Sequence, residues 1–358
     1  MIAETVVVVG ASAGGVEALI ALVAGLPPEL PAAVCVVLHI PPHATSHLPQ
    51  ILGRSGPLPV AHATHGAPLL AGQIFIAPPD HHLLVRPGQL EVGRGPRENR
   101  SRPAIDPLFR SAARAYGSRA IAVVLSGTLD DGATGLLSVR AHGGTLIVQD
   151  PADALYDGMP LAALRAVRPD HVLPLAGIAP LLVDLCRQAV NRERATTMAA
   201  TTDMVAPESD SPGEALVRHD LTAQAAGARP DQLAPFACPE CGGTLWQLGA
   251  DEEAQFRCHT GHIYSPLALL AQQSEDLEAA LWRCVRMLTE KATLARQLAA
   301  QALMRGNAAA AARIHEQVSL DELHSRVLRE QLLSDPPDSQ EQALAVDAAL
   351  ADAGLASE

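Results

Sequence analysis

Two hydrophobic periodicities divide the chain. Up to about residue 187, short apolar runs rich in β-branched residues alternate with stretches whose apolar residues recur at helical spacing. The runs are VVVV at 6–9, AVCVVL at 33–38, QIFIA at 73–77, HLLV at 82–85, AIAVVL at 120–125 and TLIVQ at 145–149; residues 15–24 read as a helix after the first. Runs without polar alternation suit strands covered on both faces, and βα alternation builds parallel sheets. The prediction is an α/β fold, doubly wound around a mostly parallel sheet. Residues 73–92 read as a local antiparallel hairpin, turned through Pro78, Pro79 and Asp80 with a second turn at Pro87-Gly88.

The pattern changes after Arg187. Residues 188–234 are polar, alanine-rich and studded with proline, which predicts a flexible linker between a domain at 1–187 and a small module at 235–264. Over 265–334 a helical hairpin is expected. Leu277, Leu281, Val285, Leu288, Ala292 and Ala295 stripe its first helix, Arg305-Gly306-Asn307 breaks it, and Ile314, Val318, Leu323, Val327 and Leu332 stripe the second. An acidic tail, 335–358, opens on Asp335-Pro336-Pro337-Asp338.

Charge and composition narrow the function classes. The net charge is −13, and the excess acid lies in residues 188–358, with 25 acids against 13 bases. Neither half has the basic balance of a nucleic-acid binder. Apolar runs fall well short of the roughly 20 residues that cross a bilayer, so no membrane insertion is expected. No signal peptide is read at MIAETVVVVGAS, and the expected location is the cytoplasm.

The first run ends in GASAGG, which looks like a dinucleotide loop with Ser12 at the glycine that normally meets a pyrophosphate. About 20 residues on, where a ribose-binding acid should stand, is His39. In a parallel sheet the residues just after the strands share a site, and this selects Ser12, His39 and the carboxylates of SGTLDDG, Asp130 and Asp131. Hydroxyl, imidazole and carboxylate are the parts of an activated serine nucleophile. Gly10, Ser12 and Gly14 spell the G-x-S-x-G of a sharp strand-to-helix turn, with backbone N–H groups of the following helix available for an oxyanion.

These blocks, with LHIPPH, IAPPDHHLLV, RPAIDPLFRSAA, VLSGTLDDGATG and VQDPADALYDGMP, resemble the catalytic domain of chemotaxis-type protein-glutamate methylesterases over residues 5–185. The resemblance implies Ser12 as nucleophile, His39 as base and Asp131 as the acid that anchors it. Asp130 stands where that family varies. Ala13 and Thr128, at near-oxyanion positions, replace the family's usual threonine and methionine. The implied activity is hydrolysis of glutamate γ-methyl esters on chemoreceptor-like proteins with release of methanol, together with glutamine deamidation, and without a catalytic cofactor. Relatives commonly carry a receiver domain ahead of the catalytic one, whereas this chain opens on the first strand, so control is expected from elsewhere. The competing reading is a catalytically silent scaffold in a phosphorelay.

The module at 235–264 contains CPEC, sixteen residues, then CHTGH. Cys238, Cys241, Cys258 and His262 make two ligand pairs suited to a structural, tetrahedral Zn²⁺, with His259 as an alternative to His262. The buried-thiol hairpin without metal is the other reading. The remaining histidines, among them His62, His65, His81 and His82, are read as solvated loop residues. Arg94, Arg97, Arg100 and Arg102 form a basic loop that either grips acidic receptor surface or is merely solvated. The apolar stripe of the hairpin must be covered by itself, by a second copy as a homodimer, or by a signalling partner.

Overall fold

The computed structural model describes residues 1–197, 232–249 and 254–333. Among them, seven strands form one parallel sheet: β1 (Thr5–Ala11), β2 (Ala32–Leu38), β3 (Val60–His62), β4 (Ile74–Ile76), β7 (Ala120–Val124), β8 (Thr145–Gln149) and β9 (His171–Leu173). Their order is β3-β4-β2-β1-β7-β8-β9. The chain winds away from β1 on one side and returns to β7 on the other. The crevice beyond the carboxyl ends of β1, β2 and β7 is therefore the natural ligand site of such a sheet.

Side-chain alternation along β1 shows why its apolar run is unbroken. Val6 and Val8 enter one core and Val7 and Val9 the other. The first core is closed by α3 (Ile105–Tyr116), α4 (Ala133–Ala141) and α5 (Gly158–Ala166), through residues such as Phe109, Leu136 and Met159. The second is closed by α1 (Gly15–Ala24), α2 (Leu48–Ser55) and α6 (Leu175–Thr197), through Leu19, Leu52 and Leu182.

The antiparallel hairpin is narrower than expected. It comprises β5 (His82–Arg86) and β6 (Gln89–Gly93), whereas Ile74–Ile76 lies in the parallel sheet between β2 and β3. All three residues of that strand are buried, so IFI needs cover on both faces, which a two-stranded hairpin cannot provide. The predicted linker also starts too early and ends too late: residues 188–197 continue α6, and β10 begins at Gln232. The rest of that segment, 198–231, and the tail from 335 lie outside the described residues.

β10 (Gln232–Ala237), β11 (Thr244–Leu248), β12 (Gln255–Cys258) and β13 (Ile263–Tyr264) form an antiparallel sheet. Leu245, Phe256, Tyr264 and Leu269 close its own small core. This sheet is not a separate body, because residues Met1–Leu269 make one compact unit. The second unit starts at Leu270 and holds most of α7 (Pro266–Met304) and all of α8 (Ala308–Leu333), joined through Gly306 at φ 77°.

The seam between these two helices keeps Val285, Ala292 and Val318 of the expected stripe and departs from it elsewhere. Val285, Ala292, Ala299, Ala311 and Val318 are buried in it, while Leu277, Leu323 and Val327 are exposed. On α8 the buried positions are 311, 318, 321 and 325, and the last two are Asp321 and Ser325. They face α7: Lys291 Nζ donates to Asp321 Oδ1 at 3.0 Å, and the hydroxyls of Thr289 and Ser325 are 3.2 Å apart. Small and polar residues let the helices approach closely, and they leave the larger apolar side chains outside.

Candidate active site

β1 ends at Ala11 and α1 begins at Gly15, so Ser12 sits in a turn of three residues. Gly14 takes φ 68°, and a Cβ there would lie 2.8 Å from Ser126 Oγ. Glycine is the residue that fits both demands. The Gly15 N–H donates to Ser12 O and closes the turn. Across the β1–β7 boundary, Ser12 N–H donates to Ser126 O, and Ser126 Oγ donates to Ala13 O at 2.8 Å. Gly127 packs directly behind the serine; a Cβ on it would stand 2.9 Å from Ser12 Cβ. Thr128 follows in the same loop. The near-site positions Ala13 and Thr128 thus belong to two turns that Ser126 laces together.

His39 follows β2, and its backbone N–H donates to Ala11 O beside the serine turn. Its ring reaches both ways: Nδ1 lies 3.1 Å from Ser12 Oγ, and Nε2 lies 2.7 Å from Asp131 Oδ2. With the proton on Nε2, the ring donates to Asp131 and offers the Nδ1 lone pair to the serine hydroxyl. The ring sense is opposite to that of the familiar serine-protease triad, where Nε2 meets the serine, yet the roles are available unchanged.

Asp131 is 3% exposed and each of its oxygens accepts two hydrogen bonds. Oδ2 receives His39 Nε2 and the Ile105 N–H at 2.7 Å; Oδ1 receives Asn99 Nδ2 at 3.0 Å and the Asp106 N–H at 3.2 Å. Burial works against its charge. The hydrogen bond and charge of His39, with the Ile105 and Asn99 donors, outweigh burial and hold the carboxyl below the usual range. Asp130, by contrast, accepts no hydrogen bond from the serine or the histidine. Burial pushes its carboxyl up to about 6, and Ser265 Oγ donates to it at 2.7 Å.

Residue-type reasoning did not single out Asn99 and Asp106. Asp106 Oδ1 accepts the N–H groups of Gly132 and Gly135, fixing the loop that carries Asp131. Burial, then the charge of Asp131, pushes the Asp106 carboxyl up to about 7. The only hint was RPAIDPLFRSAA among the quoted blocks. His82, expected in solvent, is 1% exposed; its Nε2 lies 2.8 Å from Pro96 O and its Nδ1 accepts the Ala104 N–H, so it braces the loop before α3.

Beside His39 opens a cleft of about 300 Å³ lined by Ile40, Pro41, Pro42, Arg97, Arg100, Ser101 and Arg102. Several of the basic-loop arginines are engaged: Arg94 and Arg102 with Asp80, and Arg97 with Glu240 at 2.8 Å.

In the small antiparallel sheet of the same unit, Cys238, Cys241, Cys258 and His262 bring one ligand atom each to within 4.8 Å of one another, close enough to hold a metal ion. His262 belongs to this group, and His259 is exposed in the adjoining turn. Cys238 Sγ and Cys258 Sγ lie 3.6 and 3.4 Å from His262 Nδ1, and Cys241 Sγ lies 3.6 Å from Cys258 Sγ. A tetrahedron with metal–sulfur arms of about 2.3 Å has edges of about 3.8 Å, so the donor set fits such an ion. Among the described residues, no helix is long and apolar enough to cross a membrane.

Comparison with known proteins covers the same half of the chain that holds the serine, histidine and aspartate. Residues 7–182 match the family described as CheB methylesterase. Protein-glutamate methylesterase/protein-glutamine glutaminase 2 of Anaeromyxobacter dehalogenans is 42% identical over 182 residues, 51% of this chain and 53% of that protein. Protein-glutamate methylesterase/protein-glutamine glutaminase 4 of Myxococcus xanthus is 39% identical over 183 residues, 51% of this chain and 52% of that protein. The crystal structure of the Thermotoga maritima CheB methylesterase catalytic domain is similar at 34% identity and a TM-score of 0.49, covering 51% of this chain and 98% of that one. The chain spans about half the length of the curated relatives it matches. Residues 7–182 of the chain thus make up a domain that matches the CheB methylesterase family.

Proposed function

We propose that the chain hydrolyses glutamate γ-methyl esters on chemoreceptor-like signalling proteins, with Ser12 as nucleophile, His39 as base and Asp131 as its anchor. The observation that carries this reading is the continuous chain Ser12–His39–Asp131, with contacts of 3.1 and 2.7 Å, whose His39 also lines an open cleft. Ser12 Oγ attacks the ester carbonyl as its proton passes to His39 Nδ1. The tetrahedral intermediate collapses, methoxide leaves as methanol with that proton, and a glutamyl-serine ester remains. Water, deprotonated by His39, then releases the carboxylate and the serine. The same steps on a glutamine side chain release ammonia. Asp131 stays ionised and stabilises the imidazolium. The arginine-lined cleft supports an acidic receptor surface as the partner. The test is methanol release from a methylated receptor: Ser12→Ala should abolish it in a protein that still folds, and full activity in that variant would remove the assignment.

The metal reading is Zn²⁺ held by Cys238, Cys241, Cys258 and His262, with no position left for substrate and hence a structural role. The Thr260 hydroxyl and the His262 N–H donate to the sulfurs of Cys241 and Cys258, as thiolates require. The second unit is read as an association element. Its two helices expose Leu277, Met287, Leu294, Leu298, Leu323 and Val327, and pairing with a second copy into a four-helix bundle would cover them.

A further inference from the structure

The small sheet with the Cys/His cluster packs against the loop that supplies Asn99. That loop residue, 5% exposed and at φ 47°, is held on its backbone and on its side chain by one stretch of chain. Asn99 N–H donates to Ile263 O at 2.8 Å, and the Ser265 N–H donates to Asn99 Oδ1 at 2.9 Å. Ile263 follows His262 directly. Next to Asn99, the Arg97 carbonyl accepts the Ile263 N–H, and Glu98 bridges to Ile263. Glu98 is fully buried, paired with Arg110 at 2.7 Å, and it acts electrostatically on buried Arg257 of β12. On the other side, Asn99 Nδ2 donates to Asp131 Oδ1 and to Asp106 Oδ2, both at 3.0 Å.

An Asn side chain whose oxygen is fixed from behind can present its amide in only one orientation. With Ser265 N–H on Oδ1, Nδ2 must face the two carboxylates, which is the orientation that Asp131 needs. We propose that the Cys/His module is a positioning element of the active site: through Ile263 and Ser265 it holds Asn99, and Asn99 holds the carboxylate of Asp131, so that metal in the module raises esterase turnover. The proposal rests on the reading of Ser12, His39 and Asp131 as the triad. Asn99 acts through the carboxylate of Asp131 and through Asp106, which fixes the loop that carries Asp131. The metal acts by fixing the turn between Cys258 and His262, from which Ile263 to Ser265 emerge.

The experiment uses the full chain and a small activated ester, p-nitrophenyl acetate, so that receptor docking does not enter. Zinc-loaded protein, the same protein stripped with a chelator, and zinc-loaded Asn99→Ala are compared for kcat and KM, with fluorophosphonate labelling of Ser12 in parallel. Stripping and Asn99→Ala are each expected to lower kcat by about 10- to 100-fold, with KM held within about twofold. Added zinc should restore the stripped wild type. Stripping Asn99→Ala should cost nothing further, because both changes break the same link. A stripped enzyme with unchanged kcat, an unaffected Asn99→Ala, losses that multiply, or failure to take up zinc would each overturn the proposal. If stripping unfolds the protein, zinc-loaded Asn99→Ala decides by its kcat alone. Absence of Ser12-dependent labelling in the zinc-loaded wild type would bring down the triad, and this proposal with it. Normal labelling with a zinc-insensitive rate brings down the positioning role only.

Discussion

Asp106 and Asp131, both buried, take hydrogen bonds from one amide group, Asn99 Nδ2, at 3.0 Å each. Two carboxylates so close do not ionise alike. Asp131, with His39 opposite, keeps its charge, while burial and the charge of Asp131 push the Asp106 carboxyl up to about 7. An acid whose folded pKa exceeds its unfolded value, about 3.9, holds its proton more tightly in the native state. Its contribution is therefore present in full below about pH 4 and is lost as pH rises through about 7. Asp106→Asn removes that dependence. The variant should be less stable than wild type at pH 5, since an amide donor then faces Asn99, and the gap in Tm should narrow by pH 8. A gap that widens with pH would reverse the assignment of charge.

Four donors surround Asp131, so no orientation of an amide suits the site. Asp131→Asn must turn an NH₂ toward either His39 and Ile105 or Asn99 and Asp106. His39 would lose the partner that keeps its proton on Nε2, and kcat for ester hydrolysis should fall by about 10⁴-fold. The double variant Ser12→Ala/His39→Ala should be no slower than Ser12→Ala alone, because the two residues act as one device. Single-turnover methanol release measures both.

Gly127 carries no side chain because Ser12 stands against it. In Gly127→Ala the new Cβ meets Met159 and lies 2.9 Å from Ser12 Cβ. The methionine is flexible and can move, but the serine turn, held by Ser126, gives way only by displacing the nucleophile. A drop in kcat of about 10-fold or more is expected, with the circular dichroism spectrum retained. Wild-type kcat would show that the turn yields harmlessly.

The Cys/His cluster predicts about one equivalent of zinc per chain after preparation without chelators. Cys258→Ser should abolish retention and lower Tm, since the small sheet has little apolar core of its own and metal binding supplies folding free energy. Elemental analysis decides; less than about a tenth of an equivalent in the wild type would remove the site.

For the helical pair, light scattering of the full chain should give the mass of a dimer, and Leu294→Glu/Leu323→Glu should halve it. Both leucines are exposed, at 58% and 48%, so their loss should leave the hairpin itself intact. A monomeric wild type would direct the apolar face to a different partner.

The sequence by itself determined the parallel sheet, because strands buried on both faces must be written as unbroken apolar runs. It also singled out Ser12 and His39 as neighbours, because groups placed just after parallel strands converge at one edge, and that rule needs no coordinates. The spacing of Cys238, Cys241, Cys258 and His262 was likewise sufficient to pick the cluster. Tertiary structure decided what depends on long-range register. The strand at Ile74–Ile76 joined the main sheet because its cover comes from elements far away in sequence. The seam of the helical pair kept Val285, Ala292 and Val318 of the expected stripe but took in Ala299, Ala311, Asp321 and Ser325 and left Leu277, Leu323 and Val327 outside, because close helix packing selects small residues. Asn99 showed no signal in the chain: an asparagine in a polar loop is ordinary until two carboxylates and the strand after a metal knuckle meet around it. Local sequence encodes which faces are apolar and where turns fall, whereas a hydrogen-bond network joining residues 99, 131 and 265 exists only once the fold has closed.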